Sequence, residues 1–420
     1  MVDYCLIGYG IVGRGVCEYL KGRIIVIDKV PVAVPTRPGQ QIEVVQAEVT
    51  EENFAEILGS YSGKGTIVVE TATSIETAQV VSWCHANGRH FVNTVADIWL
   101  TTTLEWSENY RRLDDLLARI VEPLFAIHEG ARSGPTAVVM QGANTGMVNH
   151  YLKRAIREMA AHQRRPIAEV GRAVRQVYVI EKDTLCFRPG FRPAPDVFYN
   201  TWNIKEFILE SVARCEYPSG GSVELTKRAL QRDVFLGGQM VKGRLVAHEE
   251  TFTMAYYLKT TYGNDHAKVQ FLYEASPIGV MSRMRYPFGY DYVERCVTFE
   301  VEEGYDLVGT LVVLDDGSAW FTGQQMENAD ARRFLAETNA TAWYVSAGVL
   351  AAIEWIKADP NRGILFPEFA DEAAVIRNFH RWCDPKAFQS YPVTGLVLSP
   401  EYPDIEIDNL YATGEKTYHP

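Results

Sequence analysis

Gly8-Tyr9-Gly10-Ile11-Val12-Gly13 has the residue types and the spacing to cradle a pyrophosphate. Gly8 allows a sharp turn, Gly10 lets the backbone come close to the phosphates, and Gly13 lets the helix that follows lie near a sheet. Unpaired N–H groups at that helix's start, with the positive end of its dipole, meet the negative charge without a lysine. Asp28 stands at the end of the next apolar run, Ile24-Ile25-Val26-Ile27, where its carboxylate can accept both ribose hydroxyls of an adenosine and repel a 2′-phosphate. The cofactor implied is NAD rather than NADP. A lone G-x-G-x-x-G also serves ordinary turns, but here the strand before, the helix after and the acid at the next strand tip agree.

A nicotinamide takes up hydride by its own chemistry, so the protein must supply orientation, a base and charge complementarity. The acidic candidates are Glu70, Asp97, Glu181, Glu210 and Asp306, with His248 as the proton carrier. Each has a plainer reading beside the chemical one. Glu181 directly follows Val177-Tyr178-Val179-Ile180 and precedes Lys182, as a solvated, paired acid at a strand end would. Trp202 is as readily a core or domain-interface aromatic as a face for an ammonium ion, and Glu210 shares its side of the chain only if the run between them is helical. His248 is followed by Glu249 and Glu250, as a surface histidine with carboxylate neighbours would be, and Asp306 could be a turn residue after Gly304. Spacing alone does not choose between these readings.

The elements that must position these residues begin with strands at 4–7 and 24–28 and a helix from Val12 to Leu20. A strand at 42–45, a helix at 51–58 capped by Thr50, a strand at 66–69, a helix at 75–87 and a strand at 90–94 follow. A helix is expected at 110–120, a strand at 134–140 and a helix at 148–162. Strands alternating with helices imply a doubly wound parallel sheet, with ligands beyond the carboxyl ends of the strands. That places Gly8, Gly10, Ile11, Val12, Gly13, Asp28, Glu70, Thr71, Ala72, Thr94, Asn144 and Thr145 on the cofactor side. Later the pattern turns to β, with strands expected at 177–180, 252–258, 269–273, 296–301 and 307–314. A helix at 341–356, rich in Ala and Ser with Gly348, suits close packing.

The fold class is therefore α/β: a Rossmann-type doubly wound parallel sheet with a second α+β domain on a mainly antiparallel sheet that packs over the cofactor. The expected division is a dinucleotide-binding domain over 1–147, to which a helix around 338–357 returns, a substrate-binding and dimerisation domain over 148–335, and a C-terminal segment over 358–420. At 420 residues and 47% hydrophobic, the chain can give each domain its own core. A net charge of -12 argues against a nucleic-acid partner; it suits an acidic pocket for a cationic substrate, and equally a solubilising surface. Met1-Val2-Asp3 leads straight into a core strand without the pattern of a secretory signal, and no apolar run approaches a membrane span. Seven scattered cysteines without a C-x-x-C pair read as reduced residues of a cytoplasmic protein with no metal site.

Several short motifs taken in order are more specific than any of them singly: Gly8 to Gly15, Asn93-Thr94-Val95-Ala96-Asp97-Ile98-Trp99, Gly134-Pro135-Thr136-Ala137, Gly142 to Val148, Glu181-Lys182-Asp183-Thr184, Asn200-Thr201-Trp202, Ala247-His248-Glu249-Glu250 and Asn339-Ala340-Thr341. Through most of its length the chain resembles the bacterial homospermidine synthases, in the wider saccharopine-dehydrogenase-like group. That resemblance implies an NAD-dependent transferase of polyamine biosynthesis, a cytoplasmic homodimer that joins two putrescines with loss of ammonia and no net redox. By matching motifs, Glu181 and Glu210 would anchor ammonium groups and Trp202 would hold a cationic intermediate by a cation–π contact. His248 and Asp306 would complete the site, and Asn144 and Asp97 would line the cofactor and amine end. Glu70 and Asp97 stand where the family carries Asp and Glu respectively, which keeps the charge and moves it by a methylene, so another polyamine such as spermidine could be preferred.

The alternative enzyme is a saccharopine- or carboxyspermidine-type dehydrogenase reducing an amine–oxo acid imine with NAD(P)H, which should offer arginines to a carboxylate; Arg188 and Arg192 lie between Glu181 and Trp202. A third class, a non-catalytic NAD sensor, would need the dinucleotide site without the acids and the indole. Asp28 predicts that fluorescence titration finds NADH bound in preference to NADPH; preference for NADPH would overturn that assignment.

Overall fold

The computed structural model describes residues 2–99, 116–212, 215–226, 230–286 and 292–403, with the side chains of 116, 118, 209–212 and 216 outside that description. By contacts the chain divides into two compact units, drawn from the described residues of Met1–Asn109, Ala118–His150 and Trp343–Cys383, and of Tyr110–Leu117, Tyr151–Ala342 and Asp384–Pro420.

The first unit is built on a parallel sheet of seven strands, ordered Arg362–Leu365, Gly134–Val138, His90–Asn93, Ile67–Glu70, Tyr4–Ile7, Gly22–Asp28 and Gln40–Gln46. Tyr4–Ile7 and Ile24 to Ile27 are buried throughout, as strands covered on both faces must be, which explains their unbroken apolar runs. The helix Ile11–Tyr19 follows the first strand immediately. Its position depends on Gly13, where a β-carbon would stand 2.1 Å from the Gly8 carbonyl oxygen, and on Gly15, where one would strike the Ser346 hydroxyl at 2.5 Å. The small residues of Ala340–Ala358 serve that close approach: Ser346 Oγ donates to the Val12 carbonyl, and a β-carbon on Gly348 would meet the Gly142 carbonyl at 2.3 Å.

The second unit carries a mixed sheet of nine strands in which Val174–Asp183 lies between Lys268–Glu274, its parallel neighbour, and Tyr305–Leu314, its antiparallel one. Ala319–Glu327 and Phe388–Pro392 extend one side, and Met240–Val246 and Leu230–Phe235 the other, with Val397–Leu398 and Tyr402–Pro403 both pairing on Leu230–Phe235. Apart from the one parallel pair the sheet is antiparallel. Tyr178, Ile180, Leu245, Leu272, Leu307, Leu311 and Phe321 pack together in a hydrophobic core. Adjacent residues of a strand alternate between faces, so Glu181 and Asp183 lie on the face opposite Tyr178 and Ile180.

Four expectations are corrected. Residues 252–258 are not a strand; they sit in the helix Glu250–Tyr262, which ends at Gly263 in the left-handed conformation, φ 68°. The alternating Phe and Met over Phe252-Thr253-Met254 resembles a strand, and the first turns of the helix bury Glu250, Thr251 and Thr253 along with the apolar residues, so they show no polar stripe to reveal the period. Residues 296–301 are not one strand either, because Val293–Cys296 pairs with Val197–Asn200 and the chain then turns, the Thr298 N–H bonding to Glu300. The cap of the second helix is Asn53, not Thr50: the Thr50 hydroxyl donates to Glu52, and Asn53 anchors the turn through Glu48 O and the Thr50 N–H. The stretch 358–420 is divided, with Arg362–Leu365 joining the parallel sheet and Phe388–Pro392 the mixed one. No described helix is long and apolar enough to cross a membrane, and none of the seven cysteines is in a disulfide.

Candidate active site

In the first unit the dinucleotide motif forms a loop between strand and helix. Gly8 sits at φ 89° against Ala72, where a β-carbon would meet the Ala72 nitrogen at 2.8 Å, and the Thr71 hydroxyl donates to the Gly8 carbonyl at 2.8 Å. Gly10, by contrast, has open space where its side chain would be, and it begins the helix of Ile11 and Val12 with no side chain bonded to the first turn's N–H groups. Gly8 thus makes the sharp turn, Gly13 the close contact between helix and strand, and Gly10 leaves an open face at the helix start. Asp28 Oδ2 accepts the Tyr9 N–H at 2.7 Å and Oδ1 the Val30 N–H at 3.0 Å, which fixes the carboxylate at the strand tip beside the loop.

Asn93 organises the neighbouring strand ends, a role its sequence position did not reveal. Its amide donates to Glu70 at 3.3 Å, to Thr77 at 3.1 Å and to the Val95 carbonyl, and its oxygen accepts the Met140 N–H at 2.8 Å. Thr145 donates to the Thr94 carbonyl, which ties the loop holding Asn144 to the strand tip. The Ser74 and Ile98 N–H groups both donate to Asp97. Glu70 is buried, and burial, with the Asp97 carboxylate adding to it, pushes its carboxyl well above the ordinary range against the pull of Asn93.

In the second unit the strand register assembles the acids. Asp183 pairs with Asp306 and Glu181 with Val308 on one side, and Glu181 pairs with Tyr273 on the other, so the three carboxylates share a face. Glu181 is not a solvated acid at a strand end: it is 2% exposed, and Lys182 is bound elsewhere, to Glu274 at 3.2 Å and to the Met240 carbonyl. Asp306 is fully buried, and neither of its oxygens has a hydrogen-bond partner among the described residues. Burial pushes its carboxyl well above the usual carboxylate range, Glu181 and Asp183 push it further, and the Thr341 hydroxyl pulls a little the other way.

Trp202 adjoins this cluster through Tyr273: its indole N–H donates to the Tyr273 hydroxyl at 2.9 Å, and Tyr273 lies beside Glu181 in the sheet. Tyr273 stacks on Phe271, and His248 packs edge-on against Phe271 with ring centres 4.8 Å apart. His248 is no surface histidine. Its Nδ1 is hydrogen-bonded to the buried Glu250 and lies 3.3 Å from Glu249. His248, Glu249 and Glu250 also offer ligand atoms within 4.8 Å of one another. Glu210 falls in the helix Ile204–Val212, with its side chain outside the described residues. Arg188 and Arg192 are exposed, whereas a cavity of about 220 Å³ beside Tyr273 is lined by Lys242, Arg244, Glu274 and Arg283. Asp183 and Tyr273 were absent from the sequence-derived site because their partners are far along the chain.

Because Asp306 holds its proton more tightly when folded than unfolded, stability falls as pH rises from its ordinary value of about 3.8 through the raised folded value. Asp306→Asn removes that penalty. The variant is predicted to unfold at a higher temperature than the parent at pH 8, by an amount equivalent to roughly 1–3 kcal/mol, with the gain shrinking toward pH 4. Thermal unfolding at both pH values checks this, and a variant no more stable at pH 8 would contradict it.

Residues 5–138 match the family described as saccharopine dehydrogenase NADP binding domain. Homospermidine synthase of Blastochloris viridis is 24% identical over 413 residues, covering 86% of this chain and 85% of the relative. That of Mesorhizobium japonicum is 25% identical over 421 residues, covering 86% and 84%. Among solved structures, homospermidine synthase from Legionella pneumophila in complex with NAD superposes with a TM-score of 0.77 at 19% identity, over 93% of this chain and 91% of that one. Saccharopine dehydrogenase (L-Glu forming) from Saccharomyces cerevisiae follows at 0.54 and 11% identity, over 94% and 100%. The chain is similar to the homospermidine synthases over most of its length, and its residues 5–138 are similar to the dinucleotide-binding domain of the saccharopine dehydrogenases.

Proposed function

We propose that this chain is an NAD-dependent homospermidine synthase, joining two diamines with release of ammonia and no net redox. The observation that carries the reading is the buried acid cluster of Glu181, Asp183 and Asp306 with Trp202 beside it. Like charges gathered in a dry site call for a cation, and an indole face suits an ammonium or iminium ion. The glycine loop, Asp28 and the strand ends at Glu70, Thr71 and Thr94 would hold NAD, which when bound takes a hydride and later returns it.

The chain's own residues then have three tasks. Glu181 and Asp306, with Glu210, hold the ammonium groups of a doubly charged diamine. The reacting amine must shed its proton before its carbon can be oxidised, and the His248–Glu250 pair carries that proton, returning one when ammonia leaves. Trp202 retains the cationic imine until the second amine has attacked, since loss of the imine to water would strand the stored hydride. The same reading takes putrescine as the diamine and the enzyme as a cytoplasmic homodimer, and it gives Asn144 and Asp97 the amine end of the cofactor site.

A second reading has one observation in its favour. Lys242, Arg244 and Arg283 line the cavity beside Tyr273, as a site for an amine–oxo acid imine would require. One assay separates the two: the protein, putrescine and NAD alone should yield homospermidine and ammonia without accumulating NADH. A requirement for an oxo acid with stoichiometric consumption of NADH would replace the first reading with the second. In the same assay Trp202→Ala should lose at least about a hundredfold in rate while still folding. Rates like the parent's would remove the indole from the site.

A further inference from the structure

We propose that Asp183 is a positioning residue which, through Thr201, fixes the pose of the Trp202 indole against Tyr273, the neighbour of Glu181 in the sheet. Asp183 is 2% exposed, and all three of its hydrogen bonds come from other parts of the fold or the turn that follows it. The Thr201 hydroxyl donates to Oδ2 at 2.6 Å, the Thr341 hydroxyl to the same oxygen at 3.2 Å, and the Leu185 N–H to Oδ1 at 2.8 Å. Thr201 immediately precedes Trp202 and is itself fully buried. Its carbonyl accepts the Asn339 amide at 2.7 Å, and the same amide donates to the Val297 carbonyl at 2.8 Å. The Trp202 carbonyl accepts Cys296 Sγ at 3.2 Å and the Asn200 amide at 3.4 Å.

The backbone around the indole is thus gripped from both sides, while the ring's own polar tie is to Tyr273. Of these grips only the one at Asp183 is ionic. A hydroxyl-to-carboxylate bond in a dry site is about twice as strong as a neutral one, so it sets the turn's position more firmly than the amide and thiol contacts. Its anchor is the central strand of the sheet, the strand that also presents Glu181, so the indole and the acid are referenced to one rigid element. Thr341 and Asn339 extend this to the start of the helix Ala340–Ala358, where Asn339 Oδ1 accepts the Ala342 N–H. A purely structural aspartate would support the helix start as well; only a positioning one would act on Trp202.

The proposal rests on the reading of Trp202 as part of the amine site, and its test has an arm independent of that reading. Full-length protein labelled with 5-fluorotryptophan is compared as parent, Thr201→Val and Thr201→Ser, with Trp202→Phe assigning the Trp202 fluorine resonance. Thr201→Val, isosteric but without the hydroxyl, is expected to shift or broaden that resonance and leave the other tryptophans in place. It should lower kcat about tenfold with less than about a twofold change in the diamine KM, because the carboxylates still hold the substrate. Thr201→Ser should recover both. In a Trp202→Phe background Thr201→Val should cause no further loss of kcat. An unmoved Trp202 resonance in Thr201→Val, or a full additional loss in the double variant, overturns the proposal. If Thr201→Val fails to fold, Asp183→Asn is read by the same resonance. If even the parent makes no homospermidine, the resonance alone decides the positioning role.

Discussion

Three carboxylates on one face of a sheet, shut away from water, are the constraint to which the rest of the second unit answers. The register leaves no other arrangement: Asp183 opposite Asp306, Glu181 one step along, all on the side away from the apolar core. Burying one carboxylate without a counter-charge costs several kcal/mol, and a second and third nearby raise that further. The fold meets the cost unevenly. Asp183 is given two hydroxyls and a backbone N–H, which draw against the burial that pushes its carboxyl up to about 6. For Asp306 only the weak pull of the Thr341 hydroxyl is set against burial and the neighbouring carboxylates, and it is driven toward the protonated form. Under the proposed function, a protonated amine is the ligand that would correct this imbalance.

The first unit solves the opposite problem with neutral means. A dinucleotide brings its own negative charge, and the loop offers it a helix start and, at Gly10, open space. Around this loop, one amide holds the strand ends in place: Asn93 touches Glu70, Thr77, Val95 and Met140. Glu70, like Asp306, is a buried acid whose carboxyl burial pushes above its ordinary range, so each unit holds one such carboxyl.

Much of this was legible in the residues, and the boundary of legibility is physical. The parallel sheet was, because strands buried on both faces write continuous apolar runs and the glycine turn has a fixed offset from them. The helix of Ala340–Ala358 was, because small residues at regular spacing announce close packing. The helix Glu250–Tyr262 was not, because its first turns bury Glu250, Thr251 and Thr253 with the apolar residues and so carry no amphipathic stripe. In the site, Glu181, Trp202, His248 and Asp306 could be singled out only by resemblance, since each had an equally ordinary solvated or core reading. Their convergence through Tyr273 and Phe271 depends on pairings across long stretches of chain. Asp183 escaped notice for the same reason: Thr201 and Thr341, which define its role, are brought to it only by the sheet and the helix.

The central claim, that buried carboxyls wait for a cationic amine, is tested most directly by counting protons when putrescine binds. Calorimetric titration in buffers of different ionisation enthalpy near pH 6.5 gives that number. An amine cation seated among partly protonated carboxyls lowers their proton affinity, so the account predicts net proton release that falls in Asp306→Asn. Binding without proton release, or release undiminished in that variant, would contradict it.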